Sequence, residues 1–231
     1  MSPVTDTRPV VGIVLMSAVF DAQQLLDRVR MQRPDARCET DAVISYEDDG
    51  VSVMLTPIPE PRPMDELTEC AHPMFVSDDD MPALLGHSGH VVIVATDFSG
   101  EPTPLEVARA HTRAVATMIS QPEACGYARK GTTYSLTTTK KFLADDNPTD
   151  LWAPIWLWDS DAGTTAYTAG LETFVGAHEL QVVDSATDAV VVYETLRQIA
   201  DDVIHGGVVT QAYTEKPWLL DTSKTACEMD I

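Results

Sequence analysis

Residues 42–55 read Ala42-Val43-Ile44-Ser45-Tyr46-Glu47-Asp48-Asp49-Gly50-Val51-Ser52-Val53-Met54-Leu55. Apolar and polar side chains alternate on both sides of an Asp-Gly pair. A period of two sends one row of side chains to a core and the other to water, as on a strand. Asp-Gly between two such runs is a strong signal for an antiparallel hairpin closed by a tight turn. A hairpin here departs from the strict strand–helix alternation of a doubly wound sheet.

The flanking segments extend this reading. Val10-Val-Gly-Ile-Val-Leu-Met16 is a continuous apolar run, the pattern of a strand buried on both faces. Asp21 to Arg33 carries Ala22, Leu25, Leu26 and Val29 at helical spacing, and Pro34 ends it. The first unit is therefore β-α-β-β. Pro57 to Pro63 is an extended, proline-rich connector, and Met64 to Ala71 a short helix. Ser77 and Asp80 have capping-box spacing before Met81–Leu85, with Gly86 as the stop. His90 to Ala95 is a second buried strand. Thr103-Pro104-Leu105-Glu106 starts a helix that runs to about Ser120 and buries Ala108, His111, Val115, Met118 and Ile119. Ala124 to Lys130 is a short strand and Thr137 to Ala144 a helix.

The region after Pro148 holds Trp152, Trp156 and Trp158. Ile155 to Trp158 alternate as on a strand covered on both faces, Asp159 to Gly163 makes a turn, and Thr164 to Thr168 returns. His178 to Val183 is a further strand. Ser185 and Asp188 have capping-box spacing for a helix whose buried stripe is Ala189, Val192, Leu196, Ile199 and Val203, closed by His205 and Gly206. Val208 to Tyr213 can be a last strand, and Trp218-Leu-Leu220 is the apolar part of a polar tail. The fold class that follows is α+β: a mixed, largely antiparallel sheet with helices mainly on one face. One domain spans 10–213 after a disordered 1–9, with a possible subdomain boundary near 132–148 and a tail over 214–231.

The charge balance narrows the function. The 231 residues hold 36 Asp and Glu against 15 Lys and Arg, a net −21. Such a surface repels phosphate backbones and anionic lipid head groups, which disfavours nucleic-acid and membrane partners and favours a basic protein. The four cysteines lack metal or redox spacing, and nothing at the N-terminus resembles a signal peptide, so the chain reads as cytoplasmic with reduced thiols.

Candidate chemistry is thin. Cys70, His72, His87 and His90 could converge on a metal only if the fold brought them together; the simpler reading is loop and strand-end residues. His111 lies on an apolar helix face and reads as core. His178 and Glu179 ionise in the useful range for acid–base work, but neighbours on a strand point to opposite faces, so Glu179 is expected to hold a turn together. Cys125 would need a histidine within reach to act as a nucleophile. No catalytic residues, metal or cofactor are assigned. Trp152, Trp156 and Trp158 are either core or the centre of a partner-binding surface.

The segment Tyr167-Thr-Ala-Gly170-Leu171-Glu-Thr-Phe174, followed by Gly176, Glu179 and Leu180 and a helix ending in glycine, resembles domain-of-unknown-function family 4261. The Pro57-Ile58-Pro59 segment and the histidine leading the Val-Ile-Val strand at His90 are also similar. Here Val175 separates Phe174 from Gly176, one residue more than the pattern has. The resemblance implies a bacterial or viral protein like the small acidic proteins found beside toxin and secretion genes, with an immunity or accessory role. Three functions follow as expectations: a non-enzymatic acidic domain that binds a protein partner; an enzyme or small-ligand binder with a pocket near 167–180; and a structural homodimer subunit.

Overall fold

A computed structural model describes residues 9–40, 42–145, 148–175 and 179–206. The chain divides into two compact units, Met1–Asp146 and Asn147–Ile231. The division falls inside the 132–148 window. In the first unit the elements run β1 (Val10–Met16), α1 (Ala22–Arg30), β2 (Arg37–Thr40), β3 (Val43–Asp48), β4 (Val51–Ile58), α2 (Met64–Glu69), α3 (Met81–Leu85), β5 (Gly89–Thr96), α4 (Pro104–Ile119), β6 (Ala124–Arg129), β7 (Thr132–Ser135) and α5 (Leu136–Leu143).

The seven strands form one sheet in the order β2-β3-β4-β5-β1-β6-β7. All its ladders are antiparallel among the described residues. The fold is thus α+β with a largely antiparallel sheet, and an isolated parallel bridge joins Ala71 to Thr133. At the β3–β4 hairpin Asp48 pairs with Val51, and Asp49 and Gly50 carry φ of 52° and 81°. Two positive φ values in a two-residue loop match the right-handed twist of the strands, which is why Asp-Gly works there. Pro57 lies within β4 rather than after it. The ladder with β3 ends at Leu55 while that with β5 continues to Ile58, so Pro57, which has no N–H to donate, leaves no β3 carbonyl waiting for one.

The two faces of this sheet are filled differently. α4 lies over the face of Gly12, where a Cβ would meet the Tyr127 hydroxyl at 2.6 Å and His111 Cε1 at 2.8 Å. α1 shares that face: Gln32 just beyond its end hydrogen-bonds Thr117 and Ser120, and Arg28 grips Glu123. On the opposite face Leu15 packs with Leu67 of α2, Leu84 of α3 and Cys125. The two long helices therefore share one face, and the short helices cover part of the other. Both long helices start as their sequences demand. Asp21 and Gln24 form a capping box on α1, and Thr103 and Glu106 form one on α4. Asp80 accepts from the Ser77 N–H and hydroxyl, yet α3 begins one residue later, at Met81.

The second unit contains α6 (Thr149–Trp152), β8 (Ile155–Ser160), β9 (Gly163–Thr168), α7 (Glu172–Val175), β10 (Gln181–Ser185) and α8 (Ala189–Ile204). Its three strands form an antiparallel sheet in the order β10-β9-β8. α8 packs against β8 and β9, with Val192, Leu196, Ile199, Ala200 and Val203 buried. Gly206, at φ 85°, follows its end. The expected Ser185 cap is corrected. Ser185 ends β10 and its hydroxyl accepts from Thr187, while Asp188 caps α8 by accepting from the Val190 N–H. The expected strand at 208–213 and the apolar Trp218–Leu220 lie outside the described residues. No described helix is long and apolar enough to cross a membrane.

The close approach at Gly12 is testable. In Gly12→Ala the new methyl group meets two rings held in a packed core, and the substitution is expected to cost about 1–3 kcal/mol. Denaturant unfolding of the first unit's sheet, followed by circular dichroism, should shift to lower concentration by that amount.

Candidate functional site

The stretch 167–180 assembles around one carboxylate. Gly170 takes φ 104°, a conformation that favours glycine, and turns the chain after β9. The Thr168 hydroxyl and the N–H groups of Gly170, Leu171 and Glu172 donate to the Glu179 carboxylate at 2.6, 2.7, 3.1 and 3.2 Å. These amides at the start of the short helix α7 have no acceptor within the helix, so Glu179 closes that turn from a distant position in the loop. Burial pushes the Glu179 carboxyl above its usual range, and the four donors pull the other way. With both oxygens committed, the group holds the turn and is not presented to a substrate. Leu171 is buried, and Phe174 lies against Trp152 with ring centroids 6.0 Å apart. Tyr167 is half-buried and meets the Trp158 ring edge-on at 5.8 Å. Gly176 and His178 lie outside the described residues.

The three tryptophans separate. Trp152 belongs to α6 and is 1% exposed, so its expected place on a partner-binding surface is corrected: it is core of the second unit. Trp156 is half-buried and Trp158 is 46% exposed. The strand is therefore not covered on both faces. Register explains this: Trp156 and Trp158 alternate with Ile155 and Leu157, and Ile155 is the fully buried one, on the α8 side.

The histidines and cysteines are engaged in packing and backbone contacts. His87 Nε2 accepts from the Arg62 N–H at 2.7 Å and its Nδ1 donates to the Leu84 carbonyl at 2.7 Å, the bonding of a neutral ring. His90 Nδ1 donates to the Glu60 carbonyl at 2.8 Å. His72 stacks on Phe75 at 4.0 Å and accepts from the Met74 N–H. Burial lowers the pKa of both His87 and His90. Among the described residues no group of three or more His, Cys, Asp or Glu could hold a metal ion. Cys125 donates to the Leu15 carbonyl at 3.3 Å, and burial pushes its thiol up to about 11, the reverse of an activated nucleophile. His111 is 2% exposed, and burial brings its pKa to about 3.

The feature that sequence reasoning missed is where the arginines go. Asp48, 5% exposed, accepts from Arg33 at 2.7 Å and from Arg113 at 2.6 Å. Asp150, buried at 6%, accepts from Arg197 at 3.0 Å and from the Tyr193 hydroxyl at 2.7 Å. Arg28 pairs with Glu123, Arg37 with Glu39 and Arg62 with Glu66. Six of the scarce cations are thus matched within their own unit, and the charge in excess over the whole chain is acidic. Partners 15 and 65 residues away from Asp48 carry no local sequence signal.

Two measurements test these assignments. Glu179→Gln places an amide where the Leu171 N–H or the Gly170 and Glu172 N–H groups need an acceptor. Their hydrogen exchange, followed by NMR, should quicken by about 10–100-fold, the equivalent of about 1–3 kcal/mol. His111 has a folded pKa below its unfolded value of 6.5, so its contribution is full above pH 6.5 and is lost as pH falls from 6.5 towards 3. Across that window it should add a slope of about 1.4 kcal/mol per pH unit to stability, and His111→Leu should remove that slope.

Comparison of the chain with family models, with curated proteins and with solved structures gives no match.

Proposed function

We propose that the chain is a non-enzymatic, acidic protein-binding domain that engages a basic partner, as an immunity or accessory protein for a toxin or secretion system. The observation that carries this reading is the allocation of charge. Six arginines are paired internally with acids, and the net charge of −21 left by 36 Asp and Glu against 15 Lys and Arg sets the field that an approaching molecule meets. That field attracts a basic protein, speeds its encounter and rejects polyanions. The resemblance to domain-of-unknown-function family 4261 points the same way. The side chains that could have supplied chemistry, Glu179, His87, His90 and Cys125, are bound to backbone groups. The free thiols of Cys38, Cys70 and Cys125 suit a reducing cytoplasm.

Steering by charge needs a small apolar centre to give the complex its lifetime. Trp158, beside the half-buried Trp156, offers that centre in the second unit. The partner is to be captured on the immobilised full chain from the native host and its association rate measured. Raising the salt from about 50 to about 500 mM should slow association by about tenfold or more. Trp158→Ala should weaken the complex by about 30-fold through faster dissociation while leaving the circular dichroism unchanged. Capture of no basic protein, or association indifferent to salt, would overturn the reading.

A further inference from the structure

β4 and β5 are neighbours in the sheet, and Ile58 at the end of one pairs with His90 near the start of the other. Everything between them, α2 and α3 included, is an excursion that leaves the sheet and returns to the same place. The strand ends at its neck lie close, since a Cβ on Gly89 would stand 2.8 Å from the Ile58 carbonyl oxygen. Beside them two histidines hold the outgoing connector, His90 through the Glu60 carbonyl and His87 through the Arg62 N–H.

The two rings differ in what a proton does to them. A carbonyl oxygen only accepts and an amide N–H only donates. His90 therefore donates from Nδ1 to Glu60, and a second proton on that ring leaves the bond intact. His87 is bound on both sides: Nδ1 donates to the Leu84 carbonyl at 2.7 Å, and Nε2 accepts from the Arg62 N–H at 2.7 Å. A proton on Nε2 sets two donors face to face at that distance, so a charged His87 and its contact with Arg62 exclude each other. The charged group nearest the ring is Arg62 of the connector, whose guanidinium opposes a second positive charge and is itself paired with Glu66 of α2. On β5, His90 stands alongside with Glu60 near it, and α3 (Met81–Leu85) has no titratable side chain.

α2 depends on that contact. It has six residues and no side-chain cap at its start, and its first hydrogen bond runs from the Leu67 N–H to the carbonyl of Pro63, the residue after Arg62. Its far end is fastened separately, by the Thr133 N–H donating to the Cys70 carbonyl and the His72 N–H to the Thr133 carbonyl. A helix this short does not stand alone in water. Held between the bridge to β7 and the His87 contact, it sets Leu67 against Leu15, Leu84 and Cys125.

We propose that His87 is an acid-released clasp: neutral, it pins the end of the proline-rich connector and the start of α2, and its protonation frees both while α3 and the sheet stay in place. Burial lowers the His87 pKa from its ordinary value of 6.5, and Arg62 adds to this, against the pull of the Leu84 carbonyl. The clasp is therefore fully closed above pH 6.5 and is released as pH falls below it. The freed fraction grows by up to about tenfold for each pH unit.

The test is NMR on the full chain between about pH 7.5 and about pH 5.5, where histidine titrates and carboxylates stay charged. Ring nitrogen shifts should report the Nδ1–H tautomer of His87. As the ring takes up its second proton, exchange protection of the Arg62 and Leu67 amides should fall by about tenfold per pH unit. The Gly86 amide, which donates to Pro82 at the end of α3, should lose several-fold less. His87→Gln, which keeps a neutral acceptor at the same reach, should abolish the pH response of Arg62 and Leu67, and His90→Gln should leave it in place. An Nε2–H tautomer, Arg62 protection that is constant while His87 protonates, or an equal pH response in His87→Gln overturns the proposal. So does a loss at Gly86 equal to that at Leu67, which would mean that the whole excursion opens as one.

Discussion

The Asp48 carboxylate is the charge on which the first unit closes. It sits at the tip of the β3–β4 hairpin, almost wholly removed from water. A carboxylate there is tolerable only if paired, because desolvating an unmatched charge costs several kcal/mol. Arg33, just past α1, and Arg113, in the middle of α4, both reach it. The same turn that fixes the hairpin register thereby fixes where two helices lie over the sheet. Arg113 also touches Asp49, the residue that carries the positive φ of the turn. Backbone geometry, helix placement and charge matching meet in four residues.

This use of cations shapes the surface as well as the core. A chain with 15 Lys and Arg for 36 Asp and Glu has few counter-charges to place. Arginine suits buried or bidentate pairing, since its planar fork satisfies both carboxylate oxygens at once, as Arg28 does with Glu123 at 2.6 and 2.9 Å. Every pair fixed in this way withdraws one positive and one negative charge together from the field felt at a distance. Individually such pairs add little to stability when they are exposed. Their collective effect on net charge is nil, and the acidic excess is set by composition.

How much of this could be read from the sequence depended on the range of the interaction involved. The Asp49-Gly50 turn, the capping box at Thr103 and the buried stripe of α8 are set by residues within four positions of one another, and each could be read directly. β2 escaped because all four of its residues, Arg37 to Thr40, are exposed and lack an apolar row. Ser185 was misread as a cap because spacing cannot show that a strand continues to that residue. Trp152 was misread because a four-residue helix has no period to detect, so its burial was invisible. Glu179 was legible as a residue holding a turn, yet its partners were not, since the donors lie seven to eleven residues upstream.

The second unit shows why apolar side chains stay exposed on one face of its sheet. A small unit buries a smaller fraction of its apolar side chains than a large one. One helix, α8, can cover one face of a three-stranded sheet, and it takes Ile155, Ala166 and Val182. The alternation of strand residues then forces Trp156, Trp158 and Val183 to the opposite face. Polar residues at those positions would have made that face inert. Tryptophan and valine instead leave apolar area whose cover gains about 25 cal/mol for each Å² removed from water.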